Sequence, residues 1–346
     1  MKRFYCCCNQ ELFFESDRCE TCGRQVGFDP QNLEMVVWHS ADQPVQSATG
    51  RPLRSCANRF PYDACNWLVD AGSDRELCVA CYCNRTIPNL QKKVNQKRWR
   101  ALERAKRRLV YSLFRLGLEL VSKWEDPEGG LWFDFLEDKR SDEEVDEGFV
   151  TTGHAGGVIT INVIEADAPQ REAMRESMNE PYRTLLGHFR HESGHYYWQR
   201  LIGDVPENLQ SFRQVFGDET IPYDEALRQY YAHGPRKDWR QYFVSAYASA
   251  HALEDWAETW GHYLHMIDTL ETAQAYGFVP HEAVGAPFDQ RFSEWVSLTV
   301  ALNSLNRSMG LPDAYPFVLS QAAREKLAFV DRILAARRQM KLPVRS

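Results

Sequence analysis

All ten cysteines lie within the first 83 residues, and the remaining 263 hold none. Structural disulfides in a secreted enzyme would be spread along the chain. The start, Met1-Lys-Arg-Phe-Tyr-Cys6, also lacks the apolar run of a secretory signal. The clustering fits zinc ribbons instead. A C-x-x-C on a tight turn aims two thiolates at one ion, and two such pairs complete a tetrahedral site. Cys6, Cys8, Cys19 and Cys22 are expected to hold one structural zinc, with Cys7 an alternative in the short C-x-C pair. Cys56, Cys65, Cys78 and Cys81 are expected to hold a second. That set is looser, because Cys56 and Cys65 stand far apart for a knuckle and no Gly follows Cys81. Cys7 and Cys83 are left as free thiols. Residues 1–90 are otherwise poorly periodic, so metal is expected to substitute for core there.

The second constraint is His191-Glu192-Ser193-Gly194-His195, an H-E-x-x-H motif inside a helical stretch from Tyr182 to Leu201. Residues i and i+4 of a helix share a face one turn apart, so both imidazoles can meet one metal ion. Glu192 then lies beside the ligands, where a carboxylate can act as general base on an activated water. A hydrolytic zinc of this kind needs a third protein ligand and an open position. A second acid- and His-rich helical stretch, His251 to His265, supplies the candidates Glu254, Glu258 and His262. Glu254 is the preferred ligand, with Glu258 and His262 in supporting roles around it.

Upstream, Val158 to Ile164 alternates and is rich in β-branched residues, so it reads as a strand entered through Gly153, Gly156 and Gly157. A sheet-edge strand there would bind an extended peptide by main-chain hydrogen bonds, with His154, Gly157 and Ile159 as its substrate contacts. Between the halves, Lys92 to Arg108 is strongly basic. Trp99, Leu102, Leu109 and Leu113 mark the apolar face of a helix running to about Ser122. An acidic stretch, Glu137 to Glu147, follows. The basic face is a solvated helix surface, a partner of the acidic block, or an attraction for nucleic acid. The formal net charge of −7 argues against a chain-wide nucleic-acid footprint. The remainder reads as helices near 206–217, 223–232, 237–250, 252–275, 290–308 and 320–338, separated by Pro/Gly turns. No apolar run approaches the roughly 20 residues needed to span a bilayer, and a cytoplasmic protein is expected.

Leu12-Phe-Phe-Glu15, Cys65-Asn-Trp-Leu68, Asn84-Arg-Thr-Ile-Pro88, Glu254-Asp-Trp-Ala-Glu258-Thr and the run from Ala301 to Phe317 carry a resemblance over nearly the whole chain. The sequence resembles a bacterial family of zinc-binding metallopeptidases with an N-terminal zinc ribbon. The surroundings of Glu254 are similar to the third-ligand segment of the Glu-type zinc peptidases, the gluzincins. Ala252-Leu253 departs from the bulkier or proline-containing entry expected there. The resemblance implies an α+β protein in three parts. These are a double zinc-ribbon module over 1–90, a basic linking helix over 91–123, and a mostly helical zincin-like domain with a small sheet over 124–346. It implies one catalytic and two structural zinc ions and a peptide or protein substrate. Glu192 would take a proton from the attacking water, and Tyr315 or His262 would stabilise the oxyanion. The alternative is a non-catalytic zinc protein whose ribbons and basic helix recognise a partner.

Overall fold

The computed structural model describes residues 1–38, 45–177, 182–280, 282 and 285–341. They form two compact units, one of Lys2–Arg171 and one of Met1 with the chain from Glu172 onward. The class is α+β. All strands described lie in the first unit, and the second is built from helices and turns.

In the first unit the Cys-rich segment is laid out as short antiparallel pairs: Phe4–Tyr5 with Glu11–Leu12, Gln25–Asp29 with Glu34–Trp38, and Val45–Gln46, Pro52–Ser55 and Leu68–Asp70 in order. It does have a core, contrary to the reading from periodicity. Phe14 and Phe28 meet edge-on at 4.9 Å, Phe28 lies 5.1 Å from Trp67, and Tyr111 of the basic helix closes the cluster 5.4 Å from Phe14. Four scattered aromatics leave no period in sequence, yet each buries a large apolar area.

The basic helix spans Lys93–Arg115 and buries Trp99, Leu102, Leu109 and Leu113. It stops short of Ser122 because Gly117, at φ 74°, takes the left-handed position. Leu118 N–H then bonds back to Leu113 O at 2.9 Å, and Gly117 N–H to Phe114 O at 3.0 Å, a Schellman ending. Most of its cations are paired inside the unit. Lys92 pairs with Asp142 and Glu144 of the acidic stretch, Arg98 with Asp167, and Arg108 with Glu15 at 2.5 Å. Arg100 and Arg107 donate to the carbonyls of Tyr62 and Ala64. Lys106 pairs with Glu103 at 2.7 Å with both side chains fully buried. Within 92–108, the cations left exposed are Lys93, Lys97 and Arg104, with the Arg108 side chain partly exposed in its pair with Glu15, so most of the run serves contacts inside this unit.

A four-stranded mixed sheet runs Gly153–Ala155, Val158–Asn162, Trp132–Leu136, Asn84–Thr86. Parallel pairing of 132–136 with both 84–86 and 158–162 draws these segments into the same compact unit as the ribbons. Val158–Thr160 is paired on both sides, so the edge of the sheet is Gly153–Ala155, which carries His154, and not the strand expected from sequence. The reason is local. Gly156 and Gly157, at φ 55° and 75°, form a tight turn that folds Gly153–Ala155 back onto it, with His154 opposite Ile159. Ile159 is buried core, and a Cβ on Gly157 would meet Gly130 O at 2.6 Å.

The second unit centres on two packed helices, Leu185–Trp198 and Ala252–Ala275. Helices Pro206–Phe216, Phe288–Ser308 and Gln321–Lys341 pack around the second of them. Trp256, Trp260, Tyr197, Phe212 and Phe216 fill the interior. The helix expected over 237–250 is instead one turn, Trp239–Tyr242, then extended Phe243, then a 3-10 turn Tyr247–Ser249. No described helix is long and apolar enough to cross a membrane.

Candidate metal centres

Helix Leu185–Trp198 begins where the Thr184 hydroxyl accepts from Gly187 N–H at 3.0 Å, satisfying one of the first-turn donors. Helix Ala252–Ala275 begins at His251, whose ring accepts from Leu253 N–H at 3.1 Å. That cap places Glu254 in the first turn, where the helix dipole favours a negative charge. The two helices approach closely at Gly194. A Cβ there would lie 2.9 Å from Ala257 Cα. Two indoles lock the approach: Trp256 donates to Gly194 O at 2.9 Å and Trp260 to the Ser193 hydroxyl at 3.0 Å.

This packing brings His191, His195 and Glu254 together. The two Nε2 atoms are 3.2 Å apart, and Glu254 oxygens lie 3.1 Å from His191 Nε2 and 3.4 Å from His195 Nε2. Tetrahedral ligands at about 2.0 Å from zinc stand about 3.3 Å from each other, so the donor set has the right size. The Glu254 oxygen facing His191 is buried yet accepts no well-directed hydrogen bond, an orphan that a cation would satisfy. Burial opposes charge on Glu254, but the two histidines hold its carboxyl well below the usual range. Burial likewise works against a charge on His191, and Glu254 and Glu258 overcome it and raise its pKa well above the ordinary value. Glu258 accepts from His191 Nδ1 at 2.7 Å and from the Ser245 hydroxyl at 2.6 Å. It thus orients the ligand ring from behind. Holding Ser245 there is one reason the 237–250 segment is not a continuous helix. Glu192 is buried beside the ligands, and burial raises its pKa although both histidines pull it down.

His262 and Tyr315 form a separate pair. They bond to each other at 2.7 Å, with Tyr315 buried and its backbone tied to Asn303. Among the described interactions neither is bonded to His191, Glu192, His195 or Glu254, and His262 feels the charge of Glu258, the partner of His191. Two other tyrosines occupy the site. Tyr223 donates its hydroxyl to Glu254, and the Tyr247 ring lies 6.0 Å from that of His191. Burial, then the Glu254 charge, pushes both hydroxyls well above the ordinary tyrosine range, so they remain donors. Tyr247 carries no motif in the sequence. Tyr223 follows Pro222 with no motif around it, and only folding brings it to the metal site.

The cysteines converge in two sets, Cys6, Cys8, Cys19, Cys22 and Cys56, Cys65, Cys78, Cys81. Sγ separations of 3.5 Å for Cys6–Cys22 and 3.6 Å for Cys8–Cys19 and Cys65–Cys78 approach the about 3.8 Å of a zinc tetrathiolate. Cys7 stands outside the set, its sulfur accepting from Arg24 at 3.2 Å and lying 3.9 Å from Cys6 Sγ. Gly23, at φ 72°, closes the Cys19–Cys22 turn. Cys81 needs no such glycine because Cys78 caps the short helix Val79–Tyr82, which carries Cys81. Trp67 and Cys78 N–H groups point at Cys65 and Cys56 sulfurs at 3.4 Å and 3.3 Å.

Residues 95–333 match the family model described as "Putative zinc-binding metallo-peptidase", and residues 3–92 match a zinc-ribbon domain. The chain is 39% identical over 342 residues to uncharacterized proteins of Mycobacterium bovis and of two Mycobacterium tuberculosis strains, covering 96% of this chain and 95% of each relative. No solved structure matches it significantly.

Proposed function

The chain belongs to the zinc-binding metallo-peptidase family, and from that premise we propose that it hydrolyses peptide bonds with one catalytic zinc on His191, His195 and Glu254. The observation that carries this reading is the convergence of those three donors beside a buried carboxylate, Glu192. A purely structural site has no use for that carboxylate. When bound, zinc supplies Lewis acidity for a water and a substrate carbonyl. Glu192 takes the proton of the attacking water and returns it to the leaving amine, and its raised pKa suits both transfers. Glu258 and Ser245 keep the His191 ring oriented. Tyr223 holds Glu254, and the Tyr247 hydroxyl donates to the developing oxyanion. The two four-cysteine sets hold structural zinc. Their donor separations and the zinc-ribbon match support this.

The test is a peptidase screen on unfolded protein substrates with a chelator control, run on wild type, Glu192→Gln and Tyr247→Phe. Glu192→Gln should keep its metal and lose about 10²–10⁴-fold in rate. Tyr247→Phe should lower kcat with KM little changed. Full hydrolysis by Glu192→Gln overturns the mechanism.

A further inference from the structure

Three cations are buried around the second cysteine cluster. Lys106 is fully buried, with its ammonium 2.7 Å from Glu103 and over the rings of Phe133 and Phe135 at 5.3 Å and 5.4 Å. Arg107 is buried and donates to Ala64 O, one residue before Cys65. Arg59 is buried in the turn that follows Cys56, its N–H on Cys56 O at 2.9 Å and its guanidinium on Asp17 O at 2.7 Å. Each feels the cluster: Arg107 the sulfurs of Cys65, Cys78 and Cys81, Lys106 that of Cys81, and Arg59 that of Cys65. The other charges at hand are Glu103, with an oxygen 3.6 Å from Cys81 Sγ, and the exposed Asp17 and Asp63 near Arg59.

Burying a cation in apolar surroundings is unfavourable unless an opposite charge offsets it. Glu103 pairs with Lys106, and the acids near Arg59, Asp17 and Asp63, are exposed. A divalent ion on four thiolates carries two negative charges and supplies a buried counter-charge that Arg107 and Arg59 otherwise lack. We infer that Lys106, Arg107 and Arg59 are the counter-charge of a dianionic metal–tetrathiolate at Cys56, Cys65, Cys78 and Cys81, and that they set its affinity for a divalent cation. Two cations of the basic run, Lys106 and Arg107, are thereby assigned to a buried metal. The inference rests on the reading that this cluster binds metal. The first cluster differs: its nearby cation, Arg24, reaches Cys7 and Cys22 but is not buried.

Opposite charge changes must act in opposite directions. The full-length chain is loaded with cadmium-113 alone, and competition with a chelator is followed by NMR, which resolves the two tetrathiolates. Lys106→Met and Arg107→Met should each weaken the second site about 10–100-fold, the usual cost of losing an outer-shell partner, and leave the first site unchanged. Glu103→Gln keeps the shape, removes the anion beside Cys81, and should tighten the second site. If Lys106→Met does not fold, the sign of the Glu103→Gln effect decides. Weakening by Glu103→Gln, or parallel losses at both sites, overturns the inference. A wild-type chain that shows no second tetrathiolate overturns the metal reading and the inference together.

Discussion

Replacing Gly194 by Ala tests whether the spacing of two helices sets the metal site. The new Cβ would stand 2.9 Å from Ala257 Cα and 3.1 Å and 3.2 Å from Trp260 Cδ1 and Cγ. Comfortable carbon contacts need about 3.5–4.0 Å, so the helices must separate by roughly 0.6–1 Å. Two terms act on stability. Ala gains about 1 kcal/mol over Gly in helix propensity, and overpacking costs about 1–3 kcal/mol. The melt should therefore fall only modestly. The metal site is less forgiving, because ligand distances tolerate only about 0.2 Å. His191 and His195 flank Gly194 on one helix, and Glu254 lies one turn before Ala257 on the other. Separation carries Glu254 off the two histidines. Zinc affinity at this site should fall about 10–100-fold, as for other losses of ligand positioning, while both tetrathiolate sites keep their metal. The measurement is zinc per chain by mass spectrometry after graded chelator dialysis, beside a thermal melt. Gly261→Ala is the control. It lies between the same helices, but its Cβ would meet nothing nearer than 3.7 Å. It should gain about 1 kcal/mol with zinc unchanged. Wild-type zinc affinity in Gly194→Ala would refute the claim that helix spacing sets the ligand distances.

Glu258→Ala removes the acceptor behind His191 and should cut zinc affinity at the His/Glu site about 10–100-fold; unchanged affinity would mean the 2.7 Å bond does not orient the ligand. Cys22→Ser should lower the total by one zinc per chain and Cys7→Ser should lower it by none; equal losses would contradict the ligand set of the first cluster. Burial depresses the pKa of His262 to about 4 and that of His265 well below its ordinary 6.5. Both are neutral in folded and unfolded chains above that value, and below it the unfolded chain binds the extra protons. Stability of the second unit should therefore fall as pH drops from about 6.5 toward 4, and replacing His262 by Phe should flatten that slope in a pH series of thermal melts. A slope the variant leaves untouched would show that His262 does not titrate this way.

Some of this protein is written in local sequence. H-E-x-x-H at one-turn spacing puts two imidazoles on one helix face whatever surrounds them, because helix geometry alone decides it. Cys-x-x-Cys pairs and the Gly156-Gly157 turn are equally local, and the periodic apolar residues of 93–115 all went inward. What the sequence left open depends on contacts between distant segments. Glu254 and Glu258 are equally acidic and four residues apart, and the close approach at Gly194 turns one to the Nε2 atoms of His191 and His195 and the other to the rear of His191. Tyr223 and Tyr247 enter the site from segments that carry no motif. Tyr315 has a motif and is packed against His262 instead. The basic run shows the same limit in charge: its cations are evident in sequence, but whether they face water, carboxylates or the interior depends on how the helix packs, because desolvation depends on what surrounds a charge and not on its neighbours in the chain.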